Sequence, residues 1–180
     1  MENIRDFSTL KNEPLCFMPM QDKDAAQIHE YASDPVVSKF IGWPLMKTLQ
    51  ETRDYVGVMM TRESAGTHFY ANVALCGESK IIGTMMVFNL DWHAMTAEIG
   101  YVFHKSYWGK GYGALSVKMT TDFMLESMGF KVLFANVVSA NIGSSRILEK
   151  NGYVLVERKE AAYQIEGESF DQWCYERRVK

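Results

Sequence analysis

A chain of 180 residues, 47% hydrophobic and 23% charged, can bury one substantial core and is short for two, so a single domain over residues 1–180 is expected. A formal net charge of −3 provides no broad basic footprint for nucleic acid, and no apolar run approaches the roughly 20 residues that span a bilayer, so neither direct nucleic-acid binding nor membrane insertion is expected. Met1-Glu2-Asn3-Ile4-Arg5-Asp6 lacks the charged and apolar regions of a signal peptide, which points to the cytoplasm.

Cys16, Cys76 and Cys174 are odd in number and widely separated, with no CxxC pair and no histidine at metal spacing. They read as plain thiols, small apolar side chains, with a catalytic cysteine as the sharper alternative. His29, His68, His93 and His104 are equally scattered, and no metal site is expected.

In chain order, residues 15–18 (Leu-Cys-Phe-Met) are an apolar run closed by Pro19 and suit a first strand, and residues 22–31 carry Ala26, Ile28 and Tyr31 at helical spacing. Ser33-Asp34-Pro35 ends that helix, and the apolar segment running to Trp43-Pro44 suits an irregular pocket wall. Thr48 followed three residues later by Glu51 has the form of a capping box, opening a helix through Tyr55, Val56, Met59 and Met60 to about Glu63. Residues 68–75 and 81–89 are rich in β-formers on either side of Cys76-Gly77-Glu78-Ser79, which reads as a hairpin. The strand of residues 97–103 extends it to an antiparallel meander, with Gly100 as the mark of a bulge. After a glycine-rich turn comes a helix over residues 111–128, then a buried strand over 132–137, a strand-helix-strand unit that implies parallel pairing. Asn141 caps a helix carrying Ile142, Arg146, Ile147 and Lys150, ended by Asn151-Gly152. Residues 153–163 and 169–175 are the last strands, joined by a loop holding Glu166-Gly167-Glu168.

The turn Tyr107-Trp108-Gly109-Lys110-Gly111-Tyr112-Gly113-Ala114 is the centre of this arrangement. Three glycines in five positions let successive amide N–H groups point into one concavity at the positive end of the following helix, a geometry that binds phosphate. The spacing is neither that of the P-loop nor that of the dinucleotide fingerprint, and a glycine turn without ligand is the bland alternative.

Two longer passages carry a family resemblance. Glu98-Ile99-Gly100-Tyr101-Val102-Phe103 through Gly113 resembles the strand and pyrophosphate loop of the GNAT superfamily of acetyl-CoA-dependent N-acetyltransferases, with Trp108 where many relatives have Arg or Gln. Residues 141–153, from Asn141 through Ser144, Arg146, Glu149-Lys150 and Gly152-Tyr153, resemble the pattern of its ribosomal-protein-alanine (RimJ/RimL-like) branch. Asp34-Pro35-Val36-Val37 with Gly42-Trp43-Pro44 is similar to the segment before that branch's second helix. The resemblance covers roughly residues 15 to 176. It implies an α+β three-layer fold, a mixed and mostly antiparallel central sheet of about seven strands with about four helices on both faces.

It also implies roles. Backbone groups of Tyr101, Val102 and Phe103 would pair with the pantetheine arm of acetyl-CoA. The amides of Trp108, Gly109, Lys110, Gly111, Tyr112, Gly113 and Ala114 would bind its pyrophosphate, with Lys110 adding charge, and Asn141 would hydrogen-bond the cofactor besides capping its helix. The side chains of Tyr101, Phe103 and Trp108 have core packing as the alternative role. Glu98 is the candidate general base, with an exposed strand carboxylate or a substrate-binding anion as the alternative. Ser144 is the candidate proton donor to the leaving thiolate, or a second cap residue. Leu148 stands where many relatives place a tyrosine acid, which excludes that route, and Tyr153 is expected in the core. The acceptor pocket would be framed by Trp43, the Asp91-Trp92-His93 turn and residues 163–170, where Asp91, Glu98, Glu166 and Glu168 would draw a cationic amine: a peptide α-amine, a polyamine or an antibiotic amine. Transfer by direct attack in a ternary complex is the leading expectation, a non-catalytic acyl-CoA-binding or sensory module the alternative. A homodimer is compatible with either.

Overall fold

The computed structural model describes residues 6–41 and 44–179, so the expected pocket residue Trp43 lies outside the described residues. Among the described residues are eight strands and five α-helices. In chain order these are β1 (Lys11–Asn12), β2 (Leu15–Met18), α1 (Ala25–Ala32), α2 (Pro35–Ser38), α3 (Leu49–Ser64), β3 (Phe69–Leu75), β4 (Ile81–Asp91), β5 (Thr96–Phe103), α4 (Tyr112–Asp122), β6 (Val132–Val138), α5 (Ile142–Lys150), β7 (Val154–Ile165) and β8 (Glu168–Arg178). They form one sheet in the order β1-β2-β3-β4-β5-β6-β8-β7. Only β5 and β6 pair in parallel, because the helical crossover through α4 joins them, and the other neighbours are antiparallel. The strand beyond the expected seven is the two-residue β1. No helix among the described residues is long and apolar enough to cross a membrane.

Each sheet face has its own core. On one, Ala97, Ile99 and Phe103 of β5 meet Val117 and Met119 of α4 and Leu148 of α5. On the other, Val102 and Tyr70 meet Ile28 and Tyr31 of α1 and Val56 and Met59 of α3. This is the period-two alternation of a strand buried on both faces. α3 begins where the capping box placed it: Thr48 Oγ1 accepts from the Glu51 N–H (3.2 Å) and Glu51 Oε2 from the Thr48 N–H (3.4 Å). Such a cap is worth about 1 kcal/mol.

Three expectations change. Gly100 marks no bulge: the β4–β5 ladder runs regularly from Gly83↔Phe103 to Phe88↔Glu98, and the register shifts beyond it, between Phe88 and Asp91. What Gly100 provides is room, since a Cβ there would sit 3.1 Å from Met86 Cγ and 3.3 Å from Phe88 Cε1. The helix after the glycine turn is regular only to Asp122 and then widens into a π-turn over Phe123–Ser127, closed by the Met128 N–H on the Phe123 carbonyl (3.0 Å). Two cysteines are not plain thiols, because Cys16 and Cys76 form a disulfide. The antiparallel pairing Leu15↔Leu75 brings their Cα atoms to 5.1 Å although 60 positions separate them in sequence. Cys174 is a buried free thiol.

Candidate active site

The parallel ladder between β5 and β6 has three rungs and ends at Glu98↔Phe134. Beyond that point β5 stays with β4 as far as Phe103, and β6 stays with β8 as far as Val138, so the two strands part. A cavity of about 650 Å³ opens in the gap, lined by Gly100, Tyr101 and Val102 from one strand and Ala135, Asn136, Val137 and Val138 from the other. The His104 N–H bonds to the Ile82 carbonyl (2.9 Å). With that register, alternation directs the backbone groups of Val102 toward β4 and those of Ile99, Tyr101 and Phe103 toward the gap. The Phe103 carbonyl already has a donor, the Trp108 indole N–H at 2.8 Å, which pins the start of the glycine turn to the end of β5.

Within that turn Gly109 has φ 73° and Gly111 φ 84°, and a Cβ added at either meets nothing within 4 Å. Glycine is therefore needed for backbone handedness and not for room, at the turn that leads into the N-terminus of the 11-residue α4. Gly113 serves packing: its Cβ would lie 2.8 Å from Ile147 Cδ1, so its absence lets α4 close on α5. Asn151 Nδ2 fastens the far side of that contact, donating to the Ala114 (3.0 Å) and Ile147 (2.9 Å) carbonyls. Trp108 is half exposed, and Lys110 Nζ lies 5.1 Å from the Tyr107 ring centre. Across the gap, Asn141 Oδ1 caps α5 by accepting the Ser144 N–H (3.2 Å), and the Tyr101 hydroxyl donates to the Ser144 carbonyl (3.2 Å). Burial pushes the Tyr101 phenol far above its ordinary value, so it remains a donor. Asn141, Ser144 and Leu148 all line the cavity, whereas Tyr153 is in the core with its hydroxyl 2.9 Å from Thr121 Oγ1.

Glu98 sits at the apex of the split, held from both sides. Asn89 Nδ2 donates to Oε2 and Asn136 Nδ2 to Oε1, each at 2.9 Å. Asn89 reaches it from the β4 irregularity, where its φ is 51°. Asn136 is oriented in turn by Gln172 Nε2, which donates to Asn136 Oδ1 at 3.0 Å. An amide chain thus spans β4, β5, β6 and β8 at the point where the ladder stops. These three amides were not anticipated from the sequence; the one available signal was a lone asparagine inside the apolar run Val132–Val138.

The cavity continues over the other sheet face, where Glu98, Phe88, Met86 and Tyr70 form a floor, Tyr55 and Arg62 descend from α3, and Tyr163 and Ile165 close the end. His68 stands nearly parallel to Tyr70 (5.6 Å, 9°) and Phe88 (6.2 Å, 15°). The Arg62 guanidinium interacts with the Tyr70 hydroxyl, and burial together with Arg62 holds the His68 imidazole below its ordinary value. A roof joins residues 39–41 to the β7–β8 hairpin through Lys39 Nζ on Glu166 Oε2 (2.8 Å) and Phe40 against Phe170 (6.1 Å). Of the four acidic residues expected to draw an amine, only Glu98 lines the cavity. Glu166 is engaged with Lys39, Glu168 lies outside, and Asp91 caps its own turn on the His93 and Ala94 N–H groups. Trp92 packs on Phe130 (5.2 Å) away from it. No cluster of metal-ligating side chains occurs among the described residues.

Comparison with known proteins bears on this geometry. The chain is 26% identical over 140 residues to the uncharacterized N-acetyltransferase p20 of Bacillus licheniformis, covering 78% of this chain and 79% of that one. Its fold superposes on the crystal structure of a GNAT-family acetyltransferase from Bacillus anthracis with TM-score 0.82 at 27% identity, covering 94% and 97% of the two chains. It superposes as well on RimL, the ribosomal L7/L12 alpha-N-protein acetyltransferase, in complex with coenzyme A, with TM-score 0.85 at 15% identity and coverage of 95% and 97%. Residues 15–154 match the family described as the acetyltransferase (GNAT) domain, and the chain belongs to that family of acetyltransferases.

Proposed function

We propose that the whole chain is one N-acetyltransferase domain that uses acetyl-CoA and transfers the acetyl group to a primary amine by direct attack in a ternary complex. The observation that carries this reading is the parted β5–β6 edge, with Glu98 at its apex and the left-handed glycine turn of Gly109 and Gly111 leading into α4 at its end. Acetyl-CoA supplies a thioester, which an uncharged amine can attack. The amides from Trp108 to Ala114 and the Lys110 charge would hold the diphosphate, the cleft-facing backbone of Tyr101 and Phe103 the pantetheine amides, with Val102 beside them, and Asn141 a further polar group.

On the other face, Glu98 accepts the proton that an ammonium must lose before its nitrogen bonds to the acetyl carbon. Its two amide donors leave carboxylate lone pairs for that proton, directly or through water. As the carbon–sulfur bond breaks, the hydroxyl of Ser144, a residue of the same cavity wall, supplies a proton to the sulfur and recovers one from solvent. Leu148 offers no proton there, which leaves that role to Ser144 or water. The fold likeness to RimL supports including a peptide N-terminal amine among the acceptors.

Thiol release in the presence of acetyl-CoA and primary amines tests the reading. Glu98→Gln is expected to lower kcat by about 100-fold or more while the KM for acetyl-CoA holds. A protein that binds acetyl-CoA and acetylates no amine, with or without Glu98, overturns it in favour of a binding module.

A further inference from the structure

The acceptor half of the cavity is polarised. At the cofactor end, Glu98 presents carboxylate oxygens that suit an ammonium. At the far end, hydrogen-bond donors are in excess. Arg62 is exposed and carries five N–H donors, and the Tyr70 hydroxyl is the polar group that interacts with them. No carboxylate among the described residues forms an ion pair with Arg62. The neighbouring Glu63 is engaged instead, accepting the Tyr70 backbone N–H at 3.1 Å. Lys39, the other cation on the wall, is matched by Glu166 at 2.8 Å. Among the described residues no carboxylate therefore balances the guanidinium on the cavity side, and His68 beside it is held toward its neutral form, in part by that same positive charge.

The register sets how far apart the two ends lie. Glu98 of β5 faces Phe88 of β4, and His68 immediately precedes β3, so the Arg62 corner is two strands away. That is roughly 9–10 Å across the sheet, less whatever the Arg62 arm reaches back. The floor between the ends is apolar, formed by Phe88 and Met86.

Resting on the acetyl-transfer reading, we infer that the acceptor carries an anionic group, a carboxylate or a phosphate, several bonds from its amine, and that Arg62 binds that group while Glu98 receives the ammonium. Polyamines are disfavoured by the same arrangement, since their second cation would meet Arg62. A charge-assisted hydrogen bond of this kind discriminates by roughly tenfold to a hundredfold.

Three amines of one length isolate the effect: 6-aminohexanoate, hexylamine and 1,6-diaminohexane. With wild-type protein, kcat/KM is expected to fall in that order, 6-aminohexanoate exceeding hexylamine by at least tenfold. In Arg62→Ala the ratio of 6-aminohexanoate to hexylamine collapses toward one, and in Arg62→Glu the diamine overtakes the acid. A 6-aminohexyl phosphate arm shows which anion is preferred. Binding of the same compounds to the protein saturated with CoA, followed by calorimetry, separates the two claims. Arg62-dependent binding of 6-aminohexanoate without any acetylation upholds the anion site and overturns the transfer reading. Equal binding and equal turnover of all three amines, or an Arg62→Ala effect that is the same for all three, overturns the inference.

Discussion

At the scale of the residue, Glu98 shows how a mobile carboxylate becomes a directed one. Each of its oxygens accepts one amide hydrogen bond, from Asn89 on one side and Asn136 on the other, and Gln172 fixes which way the Asn136 amide faces. A base held this way meets an incoming amine without first reorganising, and loss of such positioning is costly in rate. Asn136→Ala is accordingly expected to lower kcat about ten- to hundredfold with the KM for acetyl-CoA unchanged, whereas a purely structural role would lower the melting temperature and leave kcat alone. His68 gives a second test at this scale. Burial first, and Arg62 second, favour its neutral form, so the unfolded chain binds the proton more readily than the folded one. Its contribution to stability is thus present above the ordinary imidazole value and is lost as pH falls toward the lower, folded value. Following the His68 ring resonances against pH is expected to show titration below that of a free imidazole, and Arg62→Ala is expected to move it back up. Glu98, Asn141 and Ser144 were legible because each falls in a contiguous motif. Asn89, Asn136, Gln172 and Arg62 belong to four separate elements that only the folded sheet assembles, and no local pattern marks them.

At the scale of the element, the glycine turn works through the sign of its backbone angles. Gly111, with φ 84° and no neighbour within 4 Å of a built Cβ, would accept a side chain in space but not in conformation. A left-handed non-glycine residue costs roughly 1–2 kcal/mol, least for asparagine. Gly111→Ala is therefore expected to raise the KM for acetyl-CoA several-fold by re-aiming the amides that follow, and Gly111→Asn to raise it less; equal values for both and wild type would show that the turn holds no phosphate. The strand-turn-helix order was readable because β-formers, clustered glycines and helical spacing follow each other without ambiguity. The inner detail was not. A glycine within a strand signals either a bulge or a close approach, and at Gly100 the Met86 side chain decides for the second. Likewise the apolar period after Asp122 is the same whether the last turn is α or π, since what differs is a backbone hydrogen bond and not the buried face.

At the scale of the whole molecule, the sheet order brings together residues that the sequence keeps apart. β5 lies beside β6 across one helix, and β8 inserts between β6 and β7, so the cleft takes its walls from both halves of the chain. The same closure explains why Cys16 and Cys76 looked like unrelated thiols: β2 and β3 are adjacent in the sheet, with α1, α2 and α3 between them in sequence. A cross-link closing a loop of 60 positions restricts the unfolded chain by about 4 kcal/mol in the loop-entropy account. For a chain of this size that corresponds to a melting shift on the order of 10 °C. The disulfide ties β2 to the Leu75 end of β3, the end opposite Tyr70 and two strands from the β5–β6 gap, so its effect should fall on stability and not on turnover. Wild-type protein is expected to melt about 10 °C lower in reductant, Cys16→Ser to melt at that lower temperature with or without it, and both to acetylate at the same rate at 25 °C. Thiol titration of the unreduced, denatured wild type should count one free group, from Cys174; three free groups together with a reductant-insensitive melt would show that the pair is open and that β2 is held to β3 by its ladder alone.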